Sequence, residues 1–208
     1  MNLNEYYNSA GFDGNYKFSY YYVTNVKNEV LKYTDIINDL SSSPLDHNYL
    51  EPETYNHAIT QTENPIYAKT LKMWNSAGYT QQNIGNLADL MCHKNKNMQD
   101  LFKNLGDRLN LNNPQGKITI QPPGSCFPLH IDGFSQIYAN KYNVHPESVQ
   151  RYCIFLTKWE IGHFFGVGQC TIDNWNIGDV FTWPSLMPHA TANASVSNKI
   201  SLSIVGIL

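Results

Sequence analysis

A histidine and an aspartate stand two positions apart in the segment His130-Ile131-Asp132. In an extended strand, residues i and i+2 project from the same face, so this imidazole and this carboxylate would point together. A second histidine from another strand would complete a facial triad, the ligand set that holds non-haem Fe(II) and leaves open positions for substrate and dioxygen. The H-x-D pattern alone is short and is also compatible with a surface turn, so its meaning depends on the rest of the chain.

Later residues supply the other groups that such a site needs. His189 follows Met187-Pro188 and lies 57 positions after Asp132, which is enough chain for several strands to return beside the first. Lys199 and Ser201 lie in an alternating terminal strand and would share one face, where an ammonium and a hydroxyl could anchor a carboxylate. A lysine on the inward face of so apolar a strand would be costly without an anion. The alternative is that Lys199 begins the strand in solvent.

The order H-I-D, P-H and K-I-S resembles the H-x-D … H … R/K-x-S pattern of the 2-oxoglutarate- and Fe(II)-dependent dioxygenases. The resemblance covers roughly residues 117–208. The segments W-x-x-G-H-x-F, W-N-I-G-D and P-H-x-x-x-N look closest to the aspartyl/asparaginyl and prolyl hydroxylase branches, whereas the first half shows no matching motif. The resemblance implies a mainly β fold with a double-stranded β-helix core (a jelly roll, cupin-like) and N-terminal packing helices.

The resemblance also implies a role for each matched residue. His130, Asp132 and His189 would bind iron and form the catalytic centre, and Lys199, helped by Ser201, would pair with the distal carboxylate of 2-oxoglutarate. Many members carry arginine at the position of Lys199, and a lysine pairs as a point charge without the bidentate fork. The implied reaction consumes dioxygen and 2-oxoglutarate, releases succinate and carbon dioxide, and hydroxylates a substrate C–H bond.

Arg151 opens the strand-like segment RYCIFLT and resembles an arginine that some hydroxylases direct at 2-oxoglutarate or at an acidic substrate. Strand alternation places Arg151, Cys153 and Phe155 on one face without saying which face is inward, and a surface ion pair is the alternative. His163, in a predicted hairpin, could contact substrate or co-substrate, or could be a half-buried strand residue. Four aromatic residues near the motif could either wall the site or fill the core: Phe134, Phe164, Phe165 and Trp183.

The second part of the chain, residues 116–208, carries the strand pattern that these residues need. Strands are predicted at 117–121, 129–132, 151–159, 163–172 with glycine bends, after the turn at 176–179, and at 199–207. Short β-branched and aromatic strands, with turns every 8–12 residues or so, are typical of sandwiches and barrels. A jelly roll is therefore the predicted core.

The first part, residues 1–115, carries helical signals and is expected to pack on that core within one domain of 208 residues. Helices are predicted from a cap at Thr24 to about Leu40, from Pro65 through Trp74, and once or twice within 86–109. The composition of residues 41–56 is that of a loop.

The overall composition restricts the classes of function. Charged residues make up 15% of the chain, below the roughly 25% typical of globular domains, and the net charge is −3, which disfavours a broad nucleic-acid surface. No apolar run approaches the roughly 20 residues of a membrane span, and the first residues lack signal-peptide character. We therefore expect a soluble, cytoplasmic protein. Its four dispersed cysteines are expected to be small buried hydrophobes.

Two other classes of function stay open at the level of sequence. A cupin-type metal enzyme would hold its metal in a similar barrel without consuming 2-oxoglutarate, although such proteins commonly use an H-x-H cluster. A non-catalytic jelly-roll binding module would carry a vestigial site, which a complete set of ligands and anchor argues against. For the oxygenase, the resemblance favours a free amino acid, a peptide side chain or another small polar molecule as substrate.

Overall fold

The computed structural model describes residues 20–35, 38, 50–53, 65–79, 87–91, 96–132, 134–185 and 187–208. Strands predominate in these parts of the chain, and a 3-10 turn at Pro146–Ser148 precedes β6. The elements in chain order are β1 (Tyr21–Asn25), α1 (Lys27–Leu31), β2 (Leu50–Glu53), α2 (Pro65–Ser76), β3 (Leu87–Met91), α3 (Lys96–Arg108), β4 (Asn112–Gln121), β5 (Cys126–His130), α4 (Phe134–Tyr142), β6 (Val149–Phe155), β7 (His163–Val167), β8 (Cys170–Thr171), β9 (Asp179–Thr182), β10 (His189–Asn193) and β11 (Lys199–Ile207).

The strands form two antiparallel sheets that face each other. The larger sheet has seven strands in the order β1-β9-β6-β11-β4-β3-β2, and the smaller has four in the order β5-β10-β7-β8. A cluster of buried apolar side chains joins them, with Phe155 and Phe181 from the larger sheet and Phe165 and Val167 from the smaller. The fold is therefore a mostly β, cupin-like jelly roll, as the sequence predicts.

A second buried cluster covers the outer face of the larger sheet. Helix α3 places Leu101, Phe102 and Leu105 against Ile154 and Ile204, all of them buried. Because side chains alternate along a strand, the odd-numbered residues of β11, from Lys199 onward, turn to the opposite face, between the sheets. The two clusters thus fix which residues of each strand can reach a site inside the barrel.

Several predicted elements are confirmed. The strand predicted at 199–207 coincides with β11, the segment 163–172 forms β7 and β8, and residues 117–121 lie within the longer β4. The helix predicted from Pro65 is α2. None of the helices in the described parts of the chain is both long and apolar enough to cross a membrane.

The long helix predicted from Thr24 is wrong at its beginning. Thr24 lies in β1 opposite Val180, and the backbone N–H of Val26 donates to Gly178 O at 2.8 Å, so the helix begins only afterwards. Burial of Val26 and Val30 under the sheet, rather than helix propensity, decides this segment. Residues 36, 37, 39 and 40 of the predicted extension towards Leu40 lie outside the described residues.

Two further segments of the first part are strands. Leu87–Met91, expected as helix, forms β3 and pairs with β4. Glu51–Glu53, expected within a loop, belongs to β2 and pairs with β3. A short apolar run is compatible with either helix or strand until a partner is known, and here the edge of the larger sheet supplies the partner. Helix α4, between β5 and β6, is not predicted from the sequence.

Candidate metal centre

Strands β5 and β10 are neighbours in the smaller sheet and bring two histidines together. His130 and His189 are paired across the two strands, and their ring centroids are 4.1 Å apart. Asp132 lies just beyond the end of β5, and Ile131 between them is buried. The H-x-D spacing therefore places its imidazole and carboxylate on one side, as predicted, although only His130 is in the strand itself.

The three side chains offer ligand atoms that all lie within 4.8 Å of one another. His130 Nε2 is 3.7 Å from Asp132 Oδ1, and His189 Nε2 is 3.2 Å from Asp132 Oδ2. Ligand atoms about 2.1 Å from one ion and at right angles to each other would be about 3 Å apart. The separations fit a facial ion site with only small movements of the side chains.

Backbone carbonyls orient both imidazoles. His130 Nδ1 donates to Pro128 O at 2.8 Å, and His189 Nδ1 donates to Met187 O at 2.9 Å. A carbonyl only accepts hydrogen bonds, so each ring carries a proton on Nδ1 and turns its Nε2 towards Asp132. Fixing a histidine through its other nitrogen is the usual arrangement around a bound metal.

The charge states agree with a ligand set. Burial, with His189 as a second cause, lowers the pKa of His130 to about 3, which keeps the imidazole neutral. Burial would raise the pKa of Asp132, but Arg151 and the two histidines outweigh burial and hold this pKa well below its usual range. The site therefore presents the carboxylate of Asp132 and the neutral imidazole of His130 beside the imidazole of His189. These are the residue types of a facial triad.

Arg151 faces the inside of the barrel, which answers the question that strand alternation left open. Its guanidinium forms an ion pair with Asp132 Oδ2 and lies 3.5 Å from His189 Nε2. It also lies over the ring of Trp183, 4.8 Å from the ring centroid. Cys153 and Phe155 follow on the same inner face. The surface ion pair considered above is therefore wrong: Arg151 pairs at the candidate metal ligands.

Lys199 is buried, with 2% of its surface exposed, so it does not begin its strand in solvent. Its ammonium donates to Phe164 O at 2.7 Å, to Ala192 O at 3.0 Å and to the Thr191 hydroxyl. Burial lowers the pKa of Lys199 to about 7. The three oxygens that receive its protons are neutral, so a carboxylate would compensate a charge that the surroundings do not.

The Lys199 ammonium lies close to the candidate metal ligands, because it contacts β10, the strand that carries His189. Its partner Thr191 is two residues beyond His189 in β10, about 7 Å along the strand. Ser201, two residues after Lys199, shares its inward face and is half-buried opposite Phe155. The structure therefore brings both residues to the interior that the sequence predicts for them.

Hydrogen bonds organise this region around Asn193 and three residues that the sequence does not indicate: Gln121, Thr191 and Ser197. Gln121 is opposite Lys199 in the register of β4 and β11, and it accepts a hydrogen bond from Thr191 Oγ1 at 3.0 Å. Asn193 Nδ2 donates to Gln121 O and to Ser197 O, both at 2.7 Å, which ties β10 to the turn that leads to β11. Only spacing could have indicated Thr191, because it stands at i+2 from His189.

The aromatic residues divide between the two roles. Trp183 lies 5.4 Å from His189, and Phe165 packs against Trp183, so both line the interior. Phe164 is 41% exposed and points outward, so only its carbonyl serves the site. The side chain of Phe134 lies outside the described residues. On the other side of the site, Phe127 lies 4.3 Å from His130, a contact that the sequence does not indicate.

His163 is buried and stacks on Trp175, with ring centroids 6.0 Å apart. Its Nδ1 accepts a hydrogen bond from the backbone N–H of Glu160 at 3.3 Å, and its Nε2 has no hydrogen-bond partner among the described residues. Burial, then Lys199, lowers the pKa of His163. The residue belongs to the end of the barrel beyond Lys199, and contact with a substrate stays a prediction.

Among the cysteines, Cys153 is buried as expected, whereas Cys170 is exposed.

Comparisons with known proteins bear on the fold. No protein-family model matches the chain, and no match was found among curated proteins. An oxidoreductase of the 2OG-Fe(II) oxygenase family from Burkholderia pseudomallei has a similar structure, with a TM-score of 0.53 and 10% identity over 99% of this chain and 91% of that one. The non-heme alpha-ketoglutarate-dependent epimerase SnoN from nogalamycin biosynthesis also has a TM-score of 0.53, with 11% identity over 91% and 78% of the two chains.

At these identities the likeness concerns the fold. The chain shares a cupin-like β fold with these two proteins, and in this chain the fold carries a His-Asp-His cluster that could hold a metal ion. The oxygenase superfamily that the sequence resembles stays a prediction. The aspartyl/asparaginyl and prolyl hydroxylase branches stay a prediction.

Proposed function

We propose that this protein is an Fe(II)- and 2-oxoglutarate-dependent oxygenase that hydroxylates an unactivated C–H bond. The observation that carries the proposal is the convergence of two imidazole nitrogens and one carboxylate. The buried ammonium of Lys199 in β11 contacts Thr191 of β10, the strand that also carries His189, and supports the same assignment. Together these groups offer a metal ion three ligands and offer a dicarboxylate one anchor.

His130, Asp132 and His189 would hold the iron. When bound, iron together with 2-oxoglutarate and dioxygen supplies the oxidising power that converts a C–H bond to C–OH, with release of succinate and carbon dioxide. The protein contributes ligand positions that are set in advance. The carbonyls of Pro128 and Met187 hold the two imidazoles so that neither ring has to reorient before it binds the metal.

Lys199 would bind the distal carboxylate of 2-oxoglutarate, and Ser201 on the same face would add a hydroxyl donor. The two carboxylate carbons of this five-carbon diacid are separated by four C–C bonds, about 5 Å when extended. The positions of His189 and Thr191 are about 7 Å apart along β10, so the metal ligands and Lys199 are separated by a length of the same order as the diacid.

The interior walls would keep water from the reacting atoms. Trp183 and Phe165 are both buried and pack against each other beside His189 and Lys199. A dry wall strengthens the pairing of a carboxylate with Lys199, because charge interactions are stronger in a low-dielectric medium. The expected substrate is a free amino acid, a peptide side chain or another small polar molecule that enters past this wall.

Calorimetric binding of keto acids to the Mn²⁺-loaded protein tests the proposal. We expect 2-oxoglutarate to bind more tightly than 2-oxobutyrate, which lacks the distal carboxylate, and we expect this preference to disappear in Lys199→Met. Lys103→Met, at an exposed lysine of α3, serves as the matched control. Equal binding of both keto acids by the wild type would contradict the co-substrate assignment and would favour a cupin-type metal enzyme.

The substrate is to be sought by mass spectrometry with isotopically labelled dioxygen. Amino acids and short peptides are incubated with the Fe(II)-loaded protein and 2-oxoglutarate, and products are screened for the gain of one labelled oxygen atom. Asp132→Ala, which loses a ligand, is the negative control. A labelled product that forms equally in this variant would show that the chemistry occurs elsewhere.

A further inference from the structure

Arg151 occupies the side of Asp132 that also faces His189. Its guanidinium contacts Asp132 Oδ2, the same oxygen that lies 3.2 Å from His189 Nε2. It also lies 3.5 Å from that Nε2. Two of the three atoms that would bind a metal ion are therefore in contact with a side chain that is always positively charged.

The guanidinium is held in this position rather than extended into solvent. Arg151 projects inward from β6, only 12% of its side chain is exposed, and it lies over the ring of Trp183. The chain contains only one other arginine, Arg108, which is largely exposed and pairs with Glu29 at 3.5 Å. The Arg151 position is thus a defined contact of the interior and not one conformation of a mobile surface residue.

A divalent ion on the triad would share Asp132 with this guanidinium. One carboxylate would then face two cations in a partly buried place, where repulsion between like charges is screened less than in water. A ligand that brings a carboxylate to the metal would relieve the repulsion, and the planar fork of arginine suits a carboxylate with two oxygens. Lys199 does not serve here, because its ammonium contacts Thr191 and Ala192, further along β10 than His189.

We propose that Arg151 couples metal binding to keto-acid binding. In the metal-free protein it pairs with Asp132, and when the metal takes up Asp132 it pairs with the carboxylate at the metal end of 2-oxoglutarate. This inference rests on the proposed function. Its consequence is that metal alone binds against the opposition of Arg151, and that metal and 2-oxoglutarate each strengthen the binding of the other by the same factor.

Calorimetric titration with Mn²⁺ measures this coupling without any turnover. For the wild type, we expect saturating 2-oxoglutarate to tighten Mn²⁺ binding by about 10- to 100-fold. For Arg151→Met, we expect Mn²⁺ alone to bind about tenfold more tightly than it binds to the wild type, and the effect of 2-oxoglutarate to be about tenfold smaller. Arg108→Met removes the exposed arginine and should behave as the wild type does.

The sign of the first effect separates coupling from a structural role. A residue that only supports Asp132 would weaken metal binding when it is removed, so weaker or unchanged Mn²⁺ binding by Arg151→Met would overturn the inference. Arg151→Gln provides a second neutral variant if the methionine variant does not fold, with the same expected signs. Coupling that is unchanged in these variants would overturn the inference alone, whereas failure of the wild type to bind Mn²⁺ would overturn the proposed function as well.

Discussion

Replacing Lys199 by methionine should raise the stability of the protein near neutral pH and lower its affinity for 2-oxoglutarate. Methionine matches the length of the lysine stem without its charge, so the packing beside Phe165 is largely kept. The variant thus separates the cost of a buried ammonium from its use as an anchor. A residue that served only stability would not lower the stability of the fold while it raised the affinity for a ligand.

The magnitude follows from the pKa of Lys199. Burial lowers this pKa from 10.5 to about 7, a shift of about 3.5 units, or about 5 kcal/mol at 1.36 kcal/mol per unit. Between pH 7 and 10.5 the unfolded state binds the proton and the folded state does not, so the stability of the wild type rises with pH in this window. Below pH 7 both states are protonated and the full penalty applies.

The variant lacks this titration but also loses three donated hydrogen bonds. The carbonyls of Phe164 and Ala192 and the hydroxyl of Thr191 lose a donor, at about 1 kcal/mol each. The net gain from Lys199→Met below pH 7 should then be about 2 kcal/mol, which is about 4–8 °C in Tm for a chain of this size. At pH 10 the same variant should be less stable than the wild type.

Urea unfolding of both proteins across this pH range measures the difference directly. The reasoning predicts that the stability difference between them shifts by about 1.4 kcal/mol per pH unit between pH 7 and 10. Lys103→Met controls for the loss of one positive charge at an exposed site. A difference that does not change with pH would show that Lys199 is not a buried, titrating ammonium and would refute the argument.

Three other predictions follow from the site and the core. His189→Ala should abolish Mn²⁺ binding in calorimetry and the exposed His145→Ala should not; retained binding in the first would disprove the triad. Ile154→Ala should cost about 2–5 kcal/mol in urea unfolding, and Ile161→Ala, at an exposed position, less than about 0.5 kcal/mol; equal losses would contradict the assignment of the core. Above pH 7 the affinity for 2-oxoglutarate should fall by up to about tenfold per pH unit, since only charged Lys199 pairs with a carboxylate, and a pH-independent affinity would count against the anchor.

The sequence predicts the second half of the fold better than the first. Alternation identifies β11 residue by residue, because its even-numbered side chains are buried under α3 and its odd-numbered ones face the interior. The segments β2 and β3 carry no such alternation. Their strand conformation comes from pairing at the edge of the larger sheet, which is a tertiary contact that local sequence does not contain.

The sequence likewise predicts one part of the candidate site, the ligand spacing, and does not predict another part, the contacts of Arg151 and Lys199. The spacing of His130, Asp132 and His189 predicts a ligand set, since period-2 geometry and a returning strand are enough to bring them together. The contact of Arg151 with Asp132 could not be predicted, because strand alternation does not say which face of β6 is inward. The partners of Lys199 are mostly backbone oxygens, and every residue type has a backbone oxygen, so the sequence cannot indicate which residues they belong to.

The central claim is that the triad and Lys199 together hold iron and 2-oxoglutarate. Anaerobic titration of the Fe(II)-loaded protein with 2-oxoglutarate, followed by visible absorption, tests it most directly. We predict a metal-to-ligand charge-transfer band that saturates with 2-oxoglutarate, fades on admission of oxygen, and is absent from His189→Ala. Iron binding without such a band would contradict the co-substrate assignment, and absence of iron binding would contradict the metal centre itself.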